Sequence, residues 1–532
     1  MEELPDELLE KILLKINPFD RLETALLCRR LSEYTASLVD FRLVVRGEEL
    51  SECIPILITS RRRYRHIRIV NADLFKVRSA FWEKVGRDLQ LLKITNCSFT
   101  VSLLCTILEH CTELETLEIR SRDSFNLTLP EDTLKAQGRT SWPSFNIRHL
   151  TLSECWSRDK HKTLVELMPS LKTLSLHRVD DPDLLRTIST SMQSLTSIEL
   201  KCDLFVASVH EIVRTFCRTL RELRLHMCLA LNTEAYDEIM ACRNLTHLYL
   251  DLALNFKDYH LLGLISRNPN LEYLGIAFTK LTSQSLTQLD RLPKLRTLQV
   301  HLFSRREFAP ESLVAFGRLT NLRSLALRPV EYNIEILRDF SGLTDLREFI
   351  LTSRIKPNSE CFSWIIENLR KLESLELDCQ ALTDADGVKI RHLKSLRVLS
   401  VQGALGFTDE TFEGGLGSTF LESIDIGDCS LTDTALASIG LHHDRLKKFS
   451  LDRCNSTTDS GLEVFLRTQP FLQELRIYSC ASITKSSLKA VARLCPRLNK
   501  LMINDRWMGG NSISRYSRKR PGVKVTGLVT GR

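Results

Sequence analysis

Leucines and isoleucines recur along this chain in a short alternating beat, L-x-x-L-x-L, followed by a turn and then by apolar positions at helical spacing. Copies begin at 89, 114, 147, 171, 195, 220, 245, 271, 295, 322, 346, 372, 396, 421, 446, 472 and 498. Fifteen of the sixteen intervals are 24 to 27 residues, and the one from 114 to 147 is 33. A weaker copy, Tyr64-x-x-Ile67-x-Ile69, sits 25 residues ahead of the first. Alternation over so few residues predicts a strand with one buried face. The stretch behind it, as in "DYHLLGLISRN" from Asp258, predicts a helix of about 8 to 12 residues. One such unit cannot bury its own apolar face, so neighbours must stack into an array.

A period in the twenties with this consensus is that of leucine-rich repeats. Strands spaced about 4.8 Å apart on one side and thicker helices on the other force the stack to curve. The predicted fold is α/β: a solenoid of about eighteen units, a ribonuclease-inhibitor-like horseshoe with a parallel sheet on its concave face and helices on the convex one. Its regular part runs over 89–504, behind a basic transition and first weak repeat at 46–88. A chain of 532 residues would otherwise be divided into several globular domains, an expectation the repeat removes. Later units carry "LTDAD" at 382, "FTDET" at 407, "LTDTA" at 431 and "TTDSG" at 457. There a Thr or Asp oxygen can accept the free N–H groups of a first helical turn, so these acids read as caps rather than catalytic carboxylates.

Residues 1–45 lack the beat. Leu8, Leu9, Ile12, Leu13 and Ile16 form a helical stripe, Pro5 suits a first turn, and Asn17-Pro18 marks a stop. A second stripe follows through Leu22, Leu26, Leu27 and Leu31. This all-α module is too small for a robust core and must lean on the first repeat or on a partner.

The segment resembles the F-box, the module that binds the Skp adaptor of cullin-type ubiquitin ligases. Leu4-Pro5 matches its opening Leu-Pro; Glu7-Leu8-Leu9 and Ile12-Leu13 match its first helix; Pro18 and Asp20 match its turn; Leu27-Cys28-Arg29-Arg30 matches its Val-Cys-Arg/Lys-Arg element. Arg21 and Leu31 depart from the leucine and tryptophan usual there. The resemblance implies an adaptor-binding set of Leu4, Pro5, Leu8, Leu9, Ile12, Leu13, Pro18, Leu22, Leu27 and Leu31, and through the adaptor a cullin and a RING subunit. A plain helical cap over the first repeat is the other reading of the same residues. With the repeats behind it, the chain resembles F-box proteins of the leucine-rich-repeat type. That implies a non-catalytic subunit that recruits a target protein for ubiquitin transfer; a repeat scaffold or inhibitor acting without ubiquitin is the alternative.

Composition changes little in this picture. A formal charge of +7, mostly scattered, does not call for a nucleic-acid or membrane partner. No apolar run approaches the length of a membrane span, and the acidic "MEELPDE" start is unlike a signal peptide, so cytoplasm or nucleus is expected. Of sixteen cysteines, Cys97, Cys155, Cys228, Cys429, Cys454 and Cys480 each fall three residues after a unit's last anchor, and Cys202 and Cys379 two after. They read as small buried turn residues, with no paired C-x-x-C spacing that would hold zinc; no metal or cofactor is expected. No glycine-rich phosphate cradle or nucleophile–base motif stands out.

Function is expected where side chains leave the core, at the third, fifth and seventh positions of each beat. Around the repeats at 220, 245 and 271 this singles out Arg224, His226, His247, Tyr249, Asp251 and Tyr273, beside Glu222, Gly275 and Ala277. A second set near the end combines Arg476 and Tyr478 with Lys448, Ser450, Asp452, Glu474 and Lys500. Arginine and aromatic anchors carry much of the energy of protein interfaces. Loops are expected within the long interval, with Phe125, Leu127 and Trp142, and at "HLFSRREFAPES" from His301. Arg61, Arg62, Arg63, Arg65 and Arg68 read either as a solvated face or as guanidiniums converging on an anion. The basic residues 505–532 read as a cap or tail: Trp507 and Met508 over the last repeat, Arg515, Arg518, Lys519 and Arg520 loosely ordered.

Overall fold

The computed structural model describes residues 42–60, 63–120, 143–153, 162, 164–177, 182–192, 194–201, 206–302, 308–328, 334–351, 358–504, 511–520 and 523–528. It divides into two units, Met1–Asp251 and Leu252–Arg532. Among the described residues the first carries nine strands, β1 (Arg42–Arg46) to β9 (His247–Leu250). The second carries eleven, β10 (Tyr273–Thr279) to β20 (Lys524–Leu528). Within each unit consecutive strands pair in parallel, with helices or 3-10 turns in most of the connections. This is the α/β leucine-rich-repeat architecture.

The beat sets the register. Leu223 pairs with Leu248 and Ile424 with Phe449, so anchor lies beside anchor from one strand to the next. A one-residue slip would turn every anchor out of the core, which is why the period specifies pairing so strongly. Leu223, Leu248, Ile424 and Phe449 are all fully buried.

Three features depart from the expected plan. The parallel ladder begins at β1, before the weak copy at Tyr64 and within the last residues of the expected helical module 1–45. Its "RLVVR" buries Val45 but has no leucine beat to announce it. At the other end, the residues expected as a loose tail contain a helix, Asn511–Lys519, and β20, which pairs with Lys500–Asn504. Val525 pairs with the anchor Leu501, but Gly527 stands opposite the anchor Ile503, so the beat is incomplete in this unit. Trp507 and Met508 lie outside the described residues, as do the insertion residues Phe125, Leu127 and Trp142 and the loop 303–307.

The third departure concerns helix length. In the second unit the repeats of 24 residues, at 271, 322 and 372, carry only Ser283–Leu286, Ile334–Asp339 and Asp384–Gly387, each continued by a 3-10 turn. The 26-residue repeat at 446 instead carries the nine-residue helix Asp459–Arg467. A 3-10 segment rises about 2.0 Å per residue against about 1.5 Å for an α-helix, so it covers the same height with fewer residues.

After several strands the chain turns through a left-handed residue followed by a small buried one. Asn96 precedes Cys97, Met227 precedes Cys228, Asp428 precedes Cys429, Arg453 precedes Cys454 and Ser479 precedes Cys480, each with φ between 46° and 58°. Gly403, at φ 66°, takes the same place before Ala404. The cysteines are free thiols, and their Sγ atoms donate to backbone carbonyls: Cys97 to Thr95 and Ile69, Cys454 to Asp452. Burial pushes Cys228 and Cys480 up to about 12, which leaves them protonated and unreactive.

The T-D signatures cap as expected but do more. Thr408, Thr432 and Thr458 accept from N–H groups in the first turn of their helices. Each also donates, through its N–H and its hydroxyl, to the aspartate of the preceding repeat. Thr458 meets Asp433 at 2.8 and 2.6 Å, Thr432 meets Asp409 at 2.8 and 2.5 Å, and Thr408 meets Asp384 at 2.8 and 2.6 Å. Asp258 and Asp459 hold Thr282 and Thr484 in the same way. The acid of one cap thus fastens the next repeat.

His443, 4 % exposed, contributes a pH response to the second unit. Its Nε2 accepts from the Leu416 N–H at 2.9 Å, and burial, reinforced by His442, pushes the imidazole down to about 4 from 6.5. The unfolded chain therefore takes up this proton first. The associated stability is complete above about pH 6.5 and falls as pH drops toward 4, by about 3 kcal/mol at most. Urea titrations of wild type between these pH values should show that decline, and His443→Gln, which keeps an acceptor for Leu416, should flatten it.

Candidate protein-binding face

The beats place most of their described third, fifth and seventh residues on the solvent side of the sheet, between buried anchors. In the first unit this brings together side chains from β6 (Thr173–His177), β7 (Ser197–Lys201), β8 (Glu222–Leu225) and β9. Pairing aligns Ser175 with Glu199, Glu199 with Arg224, and Arg224 with Tyr249. Along the neighbouring row His177 aligns with Lys201.

Glu199 is the centre of this group. Lys201 Nζ lies 2.6 Å from Oε1, and the Ser175 hydroxyl donates to Oε2 at 2.7 Å. The imidazole Nε2 atoms of His177 and His226 approach it from either side, at 3.9 and 3.6 Å. His177 and His226, helped by Lys201 and Ser175, outweigh burial and hold the Glu199 carboxyl well below the usual carboxylate range. The lysine and serine make the short contacts; the longer imidazole contacts act as ion pairs when those rings are protonated. The His226 ring also packs on Tyr249, centroids 4.9 Å apart and planes tilted by 45°. His247 Nδ1 faces Glu222 at 3.9 Å and the Thr246 hydroxyl at 3.0 Å.

Arg224, His226, His247, Tyr249 and Asp251 thus share one face of the first unit. Ser175, His177, Glu199 and Lys201 extend that face and were not singled out from the sequence. The same third, fifth and seventh rule, carried to the repeats at 171 and 195, names all four. Tyr273 belongs to the second unit, where its hydroxyl donates to Gln299 at 3.0 Å.

The other sequence-derived set lies on β17 (Lys448–Asp452), β18 (Glu474–Tyr478) and β19 (Lys500–Asn504). Glu474 gathers Arg476 at 2.7 Å and Lys500 at 2.6 Å. Burial raises the Asp452 carboxyl; Arg453 opposes this and the Asp428 and Asp425 carboxylates add to it. The Tyr478 hydroxyl reaches Met502 Sδ at 3.5 Å. Both faces are mosaics of paired charges and aromatic rings, suited to reading another polar surface.

Among the described residues no group of three or more His, Cys, Asp or Glu is placed to hold a metal ion, and no helix is long and apolar enough to cross a membrane. The ten residues expected to bind an adaptor, Leu4 to Leu31, lie outside the described residues.

Residues 1–42 match the family model described as the F-box domain. The F-box protein MAX2 of Arabidopsis thaliana is 32 % identical over 157 residues, 27 % of this chain and 22 % of that protein. The chain therefore spans about a fifth of that curated relative's length. Among solved structures, the Rad7–Elc1 complex of yeast is similar at 18 % identity and a TM-score of 0.36, over 73 % of this chain and 82 % of the matched one. The leucine-rich-repeat protein LIC12759 of Leptospira interrogans is similar at 14 % identity and a TM-score of 0.32, over 90 % and 99 %.

Proposed function

For a protein that carries an F-box domain ahead of leucine-rich repeats, we propose the role of substrate-recruiting subunit in a Skp–cullin–F-box ubiquitin ligase. The F-box match over residues 1–42, with the parallel ladder starting where it ends, carries this reading. The segment around Leu4, Pro5, Leu8, Leu9, Ile12, Leu13, Pro18, Leu22, Leu27 and Leu31 binds the Skp adaptor, and through it the cullin and RING subunits. The sheet face around Glu199, Arg224 and Tyr249 holds the target. Its contribution is positional: keeping a target lysine beside the charged conjugating enzyme raises the effective concentration of the reactants. The subunit itself makes no covalent bond.

Co-purification tests the assignment. The intact chain should retain the Skp adaptor, and a chain lacking residues 1–41, which keeps β1, should lose it. No adaptor on the intact chain would leave only a repeat scaffold that works without ubiquitin. For the face, Arg224→Ala and Tyr249→Ala should each lower capture of the target about tenfold or more, as expected of central interface anchors. Unchanged capture by both removes this face as the target site.

A further inference from the structure

The arginine-rich stretch before β2 (His66–Val70) takes no part in the role proposed above, yet the fold gives one of its members company. Arg63 lines a cleft of about 350 Å³ in the first unit together with Lys84, at the end of the helix Ser79–Val85, and Arg87, in the turn behind it. Leu57 and Val85, both buried, form an apolar floor, and Tyr64 stands beside them with its hydroxyl 3.3 Å from Ser60 Oγ. Residues some twenty positions apart in sequence are therefore gathered by the step from one repeat to the next.

The charge of the cleft is unbalanced. Asp88 is the one acid among its described lining residues. Arg63, Lys84 and Arg87 are exposed, and none has an ion pair among the described residues. Some other basic residues, Lys93, Arg148, Arg347, Lys371 and Arg397, do reach an acid of a neighbouring repeat. The helix ends nearby do not supply the missing anion either. The Gly86 N–H donates to the Trp82 carbonyl and the Leu89 N–H to the Gly86 carbonyl, which closes the turn on itself.

We propose that this cleft is a binding site for a phosphate monoester. A carboxylate is satisfied by one guanidinium, whereas a dianion with three terminal oxygens suits two planar forks and an ammonium. The apolar floor strengthens each of these contacts by excluding water from one side. The site is separate from the sheet face, so its fate does not depend on the ligase reading. A free phosphate compound and a phosphorylated side chain share this chemistry and are told apart by the probes.

The test is a phosphorus NMR titration of the full chain with inorganic phosphate and with N-acetyl-phosphoserine amide, backed by calorimetry. Saturable binding of both assigns the site to free phosphate compounds as well as peptides, and binding of the phosphoserine probe alone assigns it to phosphorylated segments. Arg63→Gln and Arg87→Gln should each weaken binding about tenfold. Asp88→Asn should tighten it several-fold, and Lys76→Gln, which removes a cation paired with Asp73 at 3.5 Å outside the cleft, should leave it unchanged. Affinity should also fall below about pH 6 as the monoester takes up its second proton. Absence of binding by both probes, equal binding of N-acetyl-glutamate amide, or equal losses in Lys76→Gln and Arg63→Gln would each overturn the proposal.

Discussion

Phe465→Ala should cost about 3–5 kcal/mol, the largest loss expected from a single core substitution here. Phe465 is fully buried on the helix Asp459–Arg467 and packs on Phe449 of β17, with centroids 4.2 Å apart and planes tilted by 32°. Truncation leaves a ring-sized cavity between a helix and the strand of its own repeat. In a solenoid stability is close to a sum of repeat and neighbour terms, so the damage should remain local. Hydrogen exchange should accelerate through the repeats at 446 and 472, while the amides of β6 to β9 keep wild-type protection. Equal acceleration in both units would mean that the chain unfolds as one cooperative block, contrary to this expectation.

Asp459→Ala should destabilise the same region by about 2–3 kcal/mol, more than an exposed ion pair would explain. The carboxylate accepts from the Thr484 N–H at 2.9 Å, the Thr484 hydroxyl at 2.6 Å, the Ser486 hydroxyl at 2.5 Å and the Ser487 hydroxyl. Alanine leaves four donors of the next repeat without their acceptor. Burial alone would raise this carboxyl, but the hydroxyls of Ser486, Ser487 and Thr484 outweigh it and hold it below the usual range. Asp384 and Asp386 are held low in the same manner. Because the folded values are depressed, the stabilisation is present above the ordinary carboxylate range and is lost as pH falls through the lowered values. Thermal melts should show Asp459→Asn between wild type and Asp459→Ala, since the amide oxygen still accepts from Thr484. A wild-type melting temperature in Asp459→Ala would show that water replaces the staple without cost.

These acids also mark where reading the sequence stopped. "TTDSG" identifies Thr458 as a cap because Ncap chemistry is local: the acceptor and the N–H it serves are two residues apart. Asp459 could be placed in the same turn but not on Thr484, 25 residues on, because that contact depends on how far each repeat steps. The Glu199 group behaves alike. Its members were within reach of the counting rule, yet the convergence of His177 and His226 on one carboxylate needs the distances between strands.

What the sequence determined by itself was the period, and with it the parallel register, the buried anchors, the buried turn cysteines among the described residues and the N-terminal segment that matches the F-box model. Each follows from contacts repeated at fixed spacing or from a motif read in order. Tertiary structure alone decided the limits of the ladder at β1 and β20, where the beat is incomplete and only strand pairing shows the unit. It also decided which repeats shorten their helices, and which charges meet an opposite charge and which, like Arg63, Lys84 and Arg87, meet none among the described residues. A side chain's partner in a solenoid sits one repeat away, about 25 residues along the chain, and only the stacking of one unit on the next brings the two within reach.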